Sequence, residues 1–405
     1  MCRPLDGNNK HNEKRRCDCD TSEARRLRRH NRDSIQRNAP LALQPATPNY
    51  IALLTHPEEK EEGVTFTTEE VKAEVQSMTA GIRELLKNGE SDDAILIFVD
   101  RKLNTIGAGV DYLSENKYGA PTDAEFIEAY DSFKKPFLQY LAEAVKAGKD
   151  AEAAGEEASD RIHSDWHGAM SQLFEKRNAA IRQSLVDVGV QFADPETLRY
   201  TDNSNEEAVK ALKKSISFYP QSWIDASNEM KSPLYVKTMK EDQRAGYKPN
   251  GSILNILKRR SEITVMEARA NDFRGGISIG MHEFAHRVEH AIPAVVGMER
   301  TFLMRRAGHS SEAGNSAKPE ELSHIVLEEE SHSKRKQVSE VGYKDNFPTH
   351  YMGKVYDSGQ AYEILSMGME SLFTGKNGGL AGIEKHKADP DYKRFILGIL
   401  ASSAT

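Results

Sequence analysis

The sequence predicts an α+β protein that is mainly helical. Between residues 66 and 215, apolar side chains recur at three- and four-residue intervals, the spacing of amphipathic helices. After about residue 215, aromatic and β-branched residues alternate with turn residues, which favours short strands. In "MHEFAHRVEH" (281–290), histidines recur every four residues within an apolar, helix-length segment. We therefore expect a tail at 1–45, a helical domain at 46–215 and a second, α+β domain at 216–405.

Length and composition indicate a globular protein with a polar surface. The chain has 405 residues, of which 38% are hydrophobic and 29% are charged. No stretch approaches the ~18 consecutive apolar residues of a membrane helix, so we expect no membrane partner. The N-terminus has no apolar segment of the kind that secretory signals carry. All three cysteines fall within the first nineteen residues, so we expect a reducing, cytoplasmic location.

Residues 1–45 are predicted to form a disordered basic tail. Residues 1–37 hold eleven Lys/Arg against six Asp/Glu, a charge of +5 that leaves −12 on the remainder. Few apolar side chains are present there to offset the entropy lost on ordering. A basic arm on an acidic body is typical of an interaction segment, and nucleic acid or an acidic protein surface is the candidate partner. The C-x-C pair of Cys17 and Cys19 is a weak zinc pattern, and we favour free thiols.

Three long helices are predicted between residues 66 and 190. "TTEEVKAEVQSMTAGIRELLKNG" opens with a Thr-x-x-Glu cap and closes on Gly89. "TDAEFIEAYDSFKKPFLQYLAEAVKAG" has Asp123 as its expected cap and Gly148 as its stop. "SDWHGAMSQLFEKRNAAIRQSLVDVGV" is the third. Residues 149–158 read as a solvated connector. "DDAILIFVD" fits either a buried strand or a core helix, because its length does not decide between them.

The second half is predicted to mix strands and helices. β-branched residues at 263–265 indicate a strand at 261–268. "SGQAYEILSMGMESLFTG" predicts a helix ending near Gly375, and a short last helix is entered through Pro390. Trp223 is expected to pack in the core rather than to line a pocket.

The H-E-x-x-H motif at 282–286 carries the clearest chemistry. His282 and His286 are four residues apart, so on a helix both imidazoles can reach one ion at Zn–N distances of ~2.0–2.1 Å. Glu283 then lies near a water bound to that ion and can act as a general base. The alternative is an amphipathic helix with surface histidines. The third metzincin histidine is excluded, because position 292 is Ile.

A catalytic zinc site usually has three protein ligands, so a third is needed. Glu289 and His290 lie too far along a straight helix, and we expect them behind the ligands or in solvent. An acid from the later helix is the remaining option. A carboxylate among Ile364, Leu365 and Met367 is costly to bury without a cation. We favour Glu363 and keep Glu370, seven residues on, as the fallback, while Glu328, Glu329 and Glu330 read as solvated surface.

Taken together, "MHEFAHRVEH" and "YEILSMGME" resemble the gluzincin type of zinc metallopeptidase. The resemblance implies a zincin-like metallopeptidase domain at 216–405, with His282, His286 and Glu363 as Zn²⁺ ligands and Glu283 as general base. Gluzincins of the lethal-factor-like kind also place a tyrosine about two turns before the ligand glutamate. Tyr356 matches that offset better than Tyr351, and a phenol is a neutral donor suited to a developing alkoxide. The alternative is that Tyr356 only packs.

A looser resemblance links the last 190 or so residues to metallopeptidase-like regions of phage head-morphogenesis and minor structural proteins. The expected function is zinc-dependent hydrolysis of a peptide or protein substrate, with endopeptidase favoured over exopeptidase. The alternatives are a phage-encoded, virion-associated assembly protein that retains the scaffold, and a toxin protease with one target. Zincins bind substrate along an edge strand, for which "SEITVMEA" is the candidate. Thermolysin-like enzymes have an orienting Asp where Met367 stands here, so that orienting group must come from elsewhere.

Overall fold

The computed structural model describes residues 65–238, 245–249, 260–265, 276–309, 320–321, 341–343, 347–356, 361–383 and 386–404. The predicted tail, with Cys17 and Cys19, and the run Glu328–Glu330 lie outside these residues. The described part is mainly helical, with two small three-stranded sheets, as the α+β prediction requires. Among the described helices, none combines the length and the hydropathy needed to cross a membrane.

Four long helices occupy residues 68–187. They are α1 (Thr68–Lys87), α2 (Asp92–Asn116), α3 (Asp123–Lys146) and α4 (Ala151–Asp187). The Thr67 cap of α1 is confirmed, because its hydroxyl accepts from the Glu70 N–H and the Glu70 carboxylate accepts from the Thr67 N–H. Gly89 and Gly148 follow their helices with positive φ, as expected of helix stops.

Three details of this region bear on the sequence-based predictions. Two of them correct a prediction, and the third decides between two alternatives. The cap of α3 is Thr122 rather than Asp123, which is the first helical residue. The predicted connector at 149–158 is wrong, since α4 begins at residue 151 behind an Asp150 cap. Segment 92–100 is helical, because a Ser91 cap starts a periodic run that buries Ile95 and Val99 and continues to residue 116.

Helix α2 packs against the C-terminal helix α10 (Pro390–Ser402), which begins behind an Asp389 cap at the predicted Pro390. The crossing is close at two glycines. A Cβ at Gly107 would overlap the Arg394 carbonyl, and one at Gly398 would overlap the Leu103 carbonyl. Packing therefore joins residues on either side of position 216. The domain boundary predicted there stays a prediction, because packing does not test whether either part folds alone.

Helices α5 (Glu206–Ile216) and α6 (Gln221–Glu229) lead into a mixed sheet. Its strands are β1 (Leu234–Thr238), β2 (Gly246–Lys248) and β3 (Ser261–Val265), in the order β1-β3-β2. β1 runs parallel to β3 with Val236 opposite Ile263, and β2 runs antiparallel with Tyr247 opposite Ile263. The strand predicted at 261–268 is confirmed for residues 261–265. Its predicted position at the edge is wrong, because β3 lies between the other two strands.

The motif helix α7 (Gly276–Ala291) contacts this sheet, α5 and α6. Helix α8 (Pro293–His309) follows directly, so Pro293 ends one helix and starts the next. A second sheet contains β4 (Glu320–Glu321), β5 (Val341–Gly342) and β6 (Lys354–Val355) in antiparallel order. Helix α9 (Ile364–Thr374) then packs on α7. Trp223 is buried beside Tyr219, as predicted for a core residue.

Helix α4 holds the C-terminal end of α9. The buried Arg177 guanidinium donates to the Leu372 carbonyl and, at 2.9 Å, to the Gly379 carbonyl. Asn178 donates to the Phe373 carbonyl at 2.7 Å. The last carbonyls of a helix have no partner within it, so these donors supply the missing hydrogen bonds. The segment that carries Glu363 and Glu370 is thereby fixed by a helix from the first half of the chain.

Candidate metal centre

Helix α7 places His282 and His286 on the same face, one turn apart. Their ring centroids are 5.0 Å apart, and their side chains are 17% and 11% exposed. The opposite face is anchored in the core, where Phe284 is fully buried against the Tyr219 ring. The Tyr219 hydroxyl also donates to the Met281 carbonyl at 2.6 Å. The motif is therefore part of a buried, fixed helix rather than a surface helix.

The structure brings Glu363 to both histidines. Its fully buried carboxylate lies directly before the first residue of α9 rather than within that helix. Glu363 Oε2 is 3.2 Å from His282 Nε2 and 3.6 Å from His286 Nε2. Ligand atoms of the three residues all lie within 4.8 Å of one another, and they form the one such cluster of His, Cys, Asp or Glu found among the described residues.

These spacings fit a tetrahedral zinc ion. With bonds of ~2.0–2.1 Å, two ligand atoms of such an ion lie ~3.3–3.4 Å apart. The two distances from Glu363 Oε2 to the imidazole Nε2 atoms, 3.2 and 3.6 Å, bracket that value. The donor set of two imidazoles and one carboxylate is also one that catalytic zinc sites use.

Two further carboxylates hold the other ring nitrogens. Glu370 Oε2 is 3.3 Å from His282 Nδ1, and Glu289 Oε2 is 3.0 Å from His286 Nδ1. A carboxylate on Nδ1 stabilises the tautomer with its proton there and leaves Nε2 free as a metal donor. The orienting groups that Met367 cannot provide are therefore Glu370 and Glu289. Of the two candidate acids, Glu363 faces both Nε2 atoms, and Glu370 lies behind His282.

Glu370 is itself held in place. It is 2% exposed and accepts hydrogen bonds from Ser278 of α7 and from Lys376, whose Nζ is 2.6 Å away. Although burial raises the pKa of Glu370, hydrogen bonds from His282 and Lys376 lower it to about 2. Glu370 is therefore an anion at neutral pH, which suits an acceptor for the His282 Nδ1–H.

The cluster is strongly anionic around its two imidazoles. Burial lowers the pKa of His282. Glu363 and Glu370 raise it by more than burial lowers it, so the pKa reaches about 10. The pKa of His286 is likewise raised well above its ordinary value, by Glu289 and Glu363 against the effect of burial. Without a metal, both histidines are therefore cations at neutral pH. Buried carboxylates require such compensation, and a divalent cation could supply it in place of the two protons.

Glu283 is beside this cluster and is 7% exposed. Burial raises the pKa of its carboxyl group above the ordinary value, while His282 and His286 oppose the rise. The Tyr247 backbone, on β2, also opposes the rise in this pKa. A glutamate with a raised pKa is a stronger base once ionised, which suits proton transfer near neutral pH.

Tyr356 also reaches the cluster. Its hydroxyl donates to Glu363 Oε1, and the Ser366 hydroxyl donates to Glu363 Oε2 at 3.0 Å. Burial and the neighbouring Glu363 raise the pKa of Tyr356, so the phenol stays a neutral donor. The Tyr351 hydroxyl accepts from Lys354 Nζ at 2.9 Å. Tyr356 therefore contacts the proposed ligand directly through its hydroxyl.

His290 points away from this cluster, because its Nδ1 donates to the His286 carbonyl at 2.9 Å and its ring contacts Tyr247. Glu289 is 1% exposed and lies 3.0 Å from His286 Nδ1, so it is not in solvent. Sequence reasoning did not identify Ser278 or Lys376 as part of this region. Ser278 lies four residues before His282 on α7, so the same helical spacing could have placed it on this face. Lys376 lies after α9 and is brought in by packing, for which spacing along the chain carries no signal.

Comparison of the chain with known proteins finds no match. No family model matches it, and neither a curated protein nor a solved structure is significantly similar to it. The resemblance to gluzincins and to phage metallopeptidase-like proteins therefore stays an expectation based on the motifs.

Proposed function

We propose that this chain is a zinc-dependent peptidase whose metal ligands are His282, His286 and Glu363. The observation that carries the proposal is the approach of both imidazole Nε2 atoms to one oxygen of Glu363, at distances close to those between ligands of a tetrahedral zinc ion. A zinc ion bound there would polarise the scissile carbonyl and acidify a water molecule.

Glu283 is the proposed general base. Its buried carboxylate accepts the proton of the attacking water and passes it to the leaving amine. Tyr356 is the proposed donor to the oxyanion that develops on the substrate, because its neutral hydroxyl already lies at Glu363.

The arrangement around the motif supports a zincin-like interpretation of residues 216–405. β2 is antiparallel to its neighbour, has β3 as its one partner among the described strands, and contacts the motif helix. We propose that an extended peptide substrate lies along β2, which replaces the edge-strand role first expected of β3. We also propose a cytoplasmic location, on the basis of the cysteine distribution.

Zinc dependence is the first test. Protein stripped with a chelator and reloaded is expected to bind one zinc per chain and to cleave a casein or peptide library only when loaded. Loaded protein that leaves every peptide intact would contradict the hydrolase assignment and favour a metal-binding assembly role. Protein that takes up no zinc would contradict the metal site itself.

Zinc binding is expected to release about two protons per chain at pH 7. The pKa of His282 is raised to about 10 and that of His286 is also raised, so both rings are protonated in the metal-free protein and must lose a proton to bind zinc. The affinity should therefore fall as the pH falls, by about 100-fold per pH unit near neutrality. Calorimetry in buffers of different ionisation enthalpy measures this number. Binding without proton release would contradict the raised pKa values of the two rings, and hence their protonated state in the metal-free protein.

Tyr356→Phe is expected to lower kcat by about 10²–10³-fold, the usual cost of removing one oxyanion donor. Zinc affinity should fall by no more than about 10–100-fold, the cost of losing a hydrogen-bond partner of a ligand, because all three ligands remain. Tyr351→Phe is the matched control, because it removes the hydroxyl that accepts from Lys354 Nζ at 2.9 Å and keeps the Tyr356 hydroxyl that donates to Glu363, so its loss should cost less. If Tyr351→Phe has the larger effect on kcat, the donor role belongs to Tyr351 instead.

A further inference from the structure

Lys354, on strand β6, is a buried lysine beside the tyrosine that contacts Glu363. The residue is 6% exposed. Its ammonium group donates to the Tyr351 hydroxyl at 2.9 Å. The same nitrogen lies over two aromatic rings, 4.6 Å from the ring centroid of Tyr351 and 4.5 Å from that of Tyr356. A buried ammonium group needs compensation for the water that it has lost, and one hydroxyl and two aromatic faces contribute to it here.

The backbone that carries Lys354 has a fixed position. Lys354 pairs with Gly342 of β5, and the Tyr343 N–H donates to the Gly353 carbonyl at 2.9 Å. The two segments approach so closely that a Cβ at Gly353 would overlap the Tyr343 carbonyl. The ammonium group therefore reaches the two rings from a strand that its neighbour holds in place.

The Tyr356 side chain connects this lysine to the proposed metal site. Its hydroxyl donates to Glu363 Oε1, and its ring meets the His286 imidazole edge to face, with centroids 6.3 Å apart. Tyr356 directly follows the last residue of β6, so the described strand pairing ends before it. Side-chain contacts are therefore needed to fix the ring, and a cation over an aromatic face is such a contact.

We propose that Lys354 is a positioning residue for Tyr356. The ammonium group attracts the face of the ring and so holds the phenol hydroxyl at Glu363. The role rests on the proposed function, because Glu363 is the proposed zinc ligand and Tyr356 the proposed oxyanion donor. It does not require peptide hydrolysis, because the hydrogen bond from Tyr356 to Glu363 is made without a substrate.

A double-mutant cycle in the full-length chain tests this role, with zinc affinity measured by competition with a chelator. Lys354→Met retains an unbranched apolar stem and removes the charge. The loss of a positive charge by itself favours a second cation, but it does so to the same extent whether or not the Tyr356 hydroxyl is present. The difference between the two backgrounds therefore isolates the positioning effect. We expect Lys354→Met to cost about 3–30-fold more zinc affinity in the parent than in Tyr356→Phe, the range of one cation–π contact.

Two further variants at position 354 separate the charge from the rest of the side chain. Lys354→Arg keeps a cation that stacks well on aromatic faces, so its zinc affinity is expected to stay within about threefold of the parent value. Lys354→Gln keeps a donor for Tyr351 without the charge, and it should show the coupling expected of Lys354→Met. It also provides the cycle if Lys354→Met does not fold.

Lys102→Met is the control for the loss of a lysine that lies over an aromatic ring. Lys102, on α2, is 5.8 Å from the Phe98 ring centroid and pairs with Glu74 of α1 at 2.7 Å. We expect this variant to keep the parental zinc affinity, and its effect to be the same in the parent and in Tyr356→Phe. Its melting temperature reports how far the loss of such a lysine alters stability alone.

Two results would overturn the inference alone. One is an equal change of zinc affinity in the two backgrounds, since Lys354 would then act independently of the Tyr356 hydroxyl. The other is a Lys354→Arg variant that loses as much zinc affinity as Lys354→Met, since charge over the ring would then not be what holds it. A parent that binds zinc but cleaves no peptide contradicts the hydrolase assignment and leaves this test intact. A parent that binds no zinc overturns both proposals.

Discussion

Glu283→Gln is expected to lower kcat for peptide hydrolysis by about 10²–10⁴-fold, the range that a general base contributes. Gln has the shape of Glu but cannot accept a proton at neutral pH. The three proposed ligands are unchanged, so the variant should still bind one zinc per chain. Loss of turnover with retention of metal is the combination that identifies the base, and it is measured by steady-state kinetics together with metal analysis.

The control for Glu283→Gln is Glu74→Gln. Glu74 is a half-buried acid on α1 that pairs with Lys102 at 2.7 Å, away from the metal cluster. Glu74→Gln makes the same chemical change at this distant position, and the kcat of that variant should remain that of the parent. A Glu283→Gln variant that cleaves peptides at the parental rate would rule out the proposed mechanism. Each of the other acids described beside His282 and His286 already has a proposed role as a ligand or as an orienting group, so none of them could replace Glu283 as the base.

Glu363→Gln is expected to weaken zinc binding by well over 100-fold, because an anionic ligand is lost from the first coordination sphere of the ion. Glu370→Gln should weaken it by about 10–100-fold, the cost of losing an acceptor behind a ligand histidine. The difference follows from position: Glu363 Oε2 faces both Nε2 atoms, whereas Glu370 Oε2 faces His282 Nδ1.

The comparison of Glu363→Gln with Glu370→Gln is internally matched, since both residues are buried and both changes remove one charge from the same cluster. Competition with a chelator of known zinc affinity gives both values. If the Glu370 variant proves the weaker binder, the third ligand is Glu370 and the proposed arrangement of the site is wrong.

Local patterns were sufficient to predict most of the helices. The Thr67 cap, the glycine stops and Pro390 act through backbone groups a few residues away, so the sequence alone determines them. Segment 92–100 could not be assigned from its own nine residues, because the decisive features are the Ser91 cap before it and the periodic residues after it. Segment 149–158 was wrongly predicted as a connector because its polar composition hid a helix that begins at residue 151.

The residues of the candidate site also divide into those that local spacing could identify and those that it could not. Four-residue spacing identified His282 and His286, since both are on one helix. Spacing could not separate Glu363 from Glu370, because two acids seven residues apart share a face and only the packing of α9 on α7 determines which nitrogen each one meets. Glu289 is buried and accepts from the Tyr362 N–H in the segment before α9, so nothing near residue 289 indicated its position. The strand order has the same origin, because a parallel pair such as β1 and β3 is set by a long connection.

The hydrogen bonds from Arg177 and Asn178 to the end of α9 bear on how this chain could be inherited or exchanged. A gene segment that encoded only the part after residue 216 would deliver the three proposed ligands without the donors that finish the ligand-bearing helix. Recombination that preserves the proposed metal site should therefore transfer α4 together with the part after residue 216. A protein that acquires the latter without α4 should retain the motif but bind the metal more weakly.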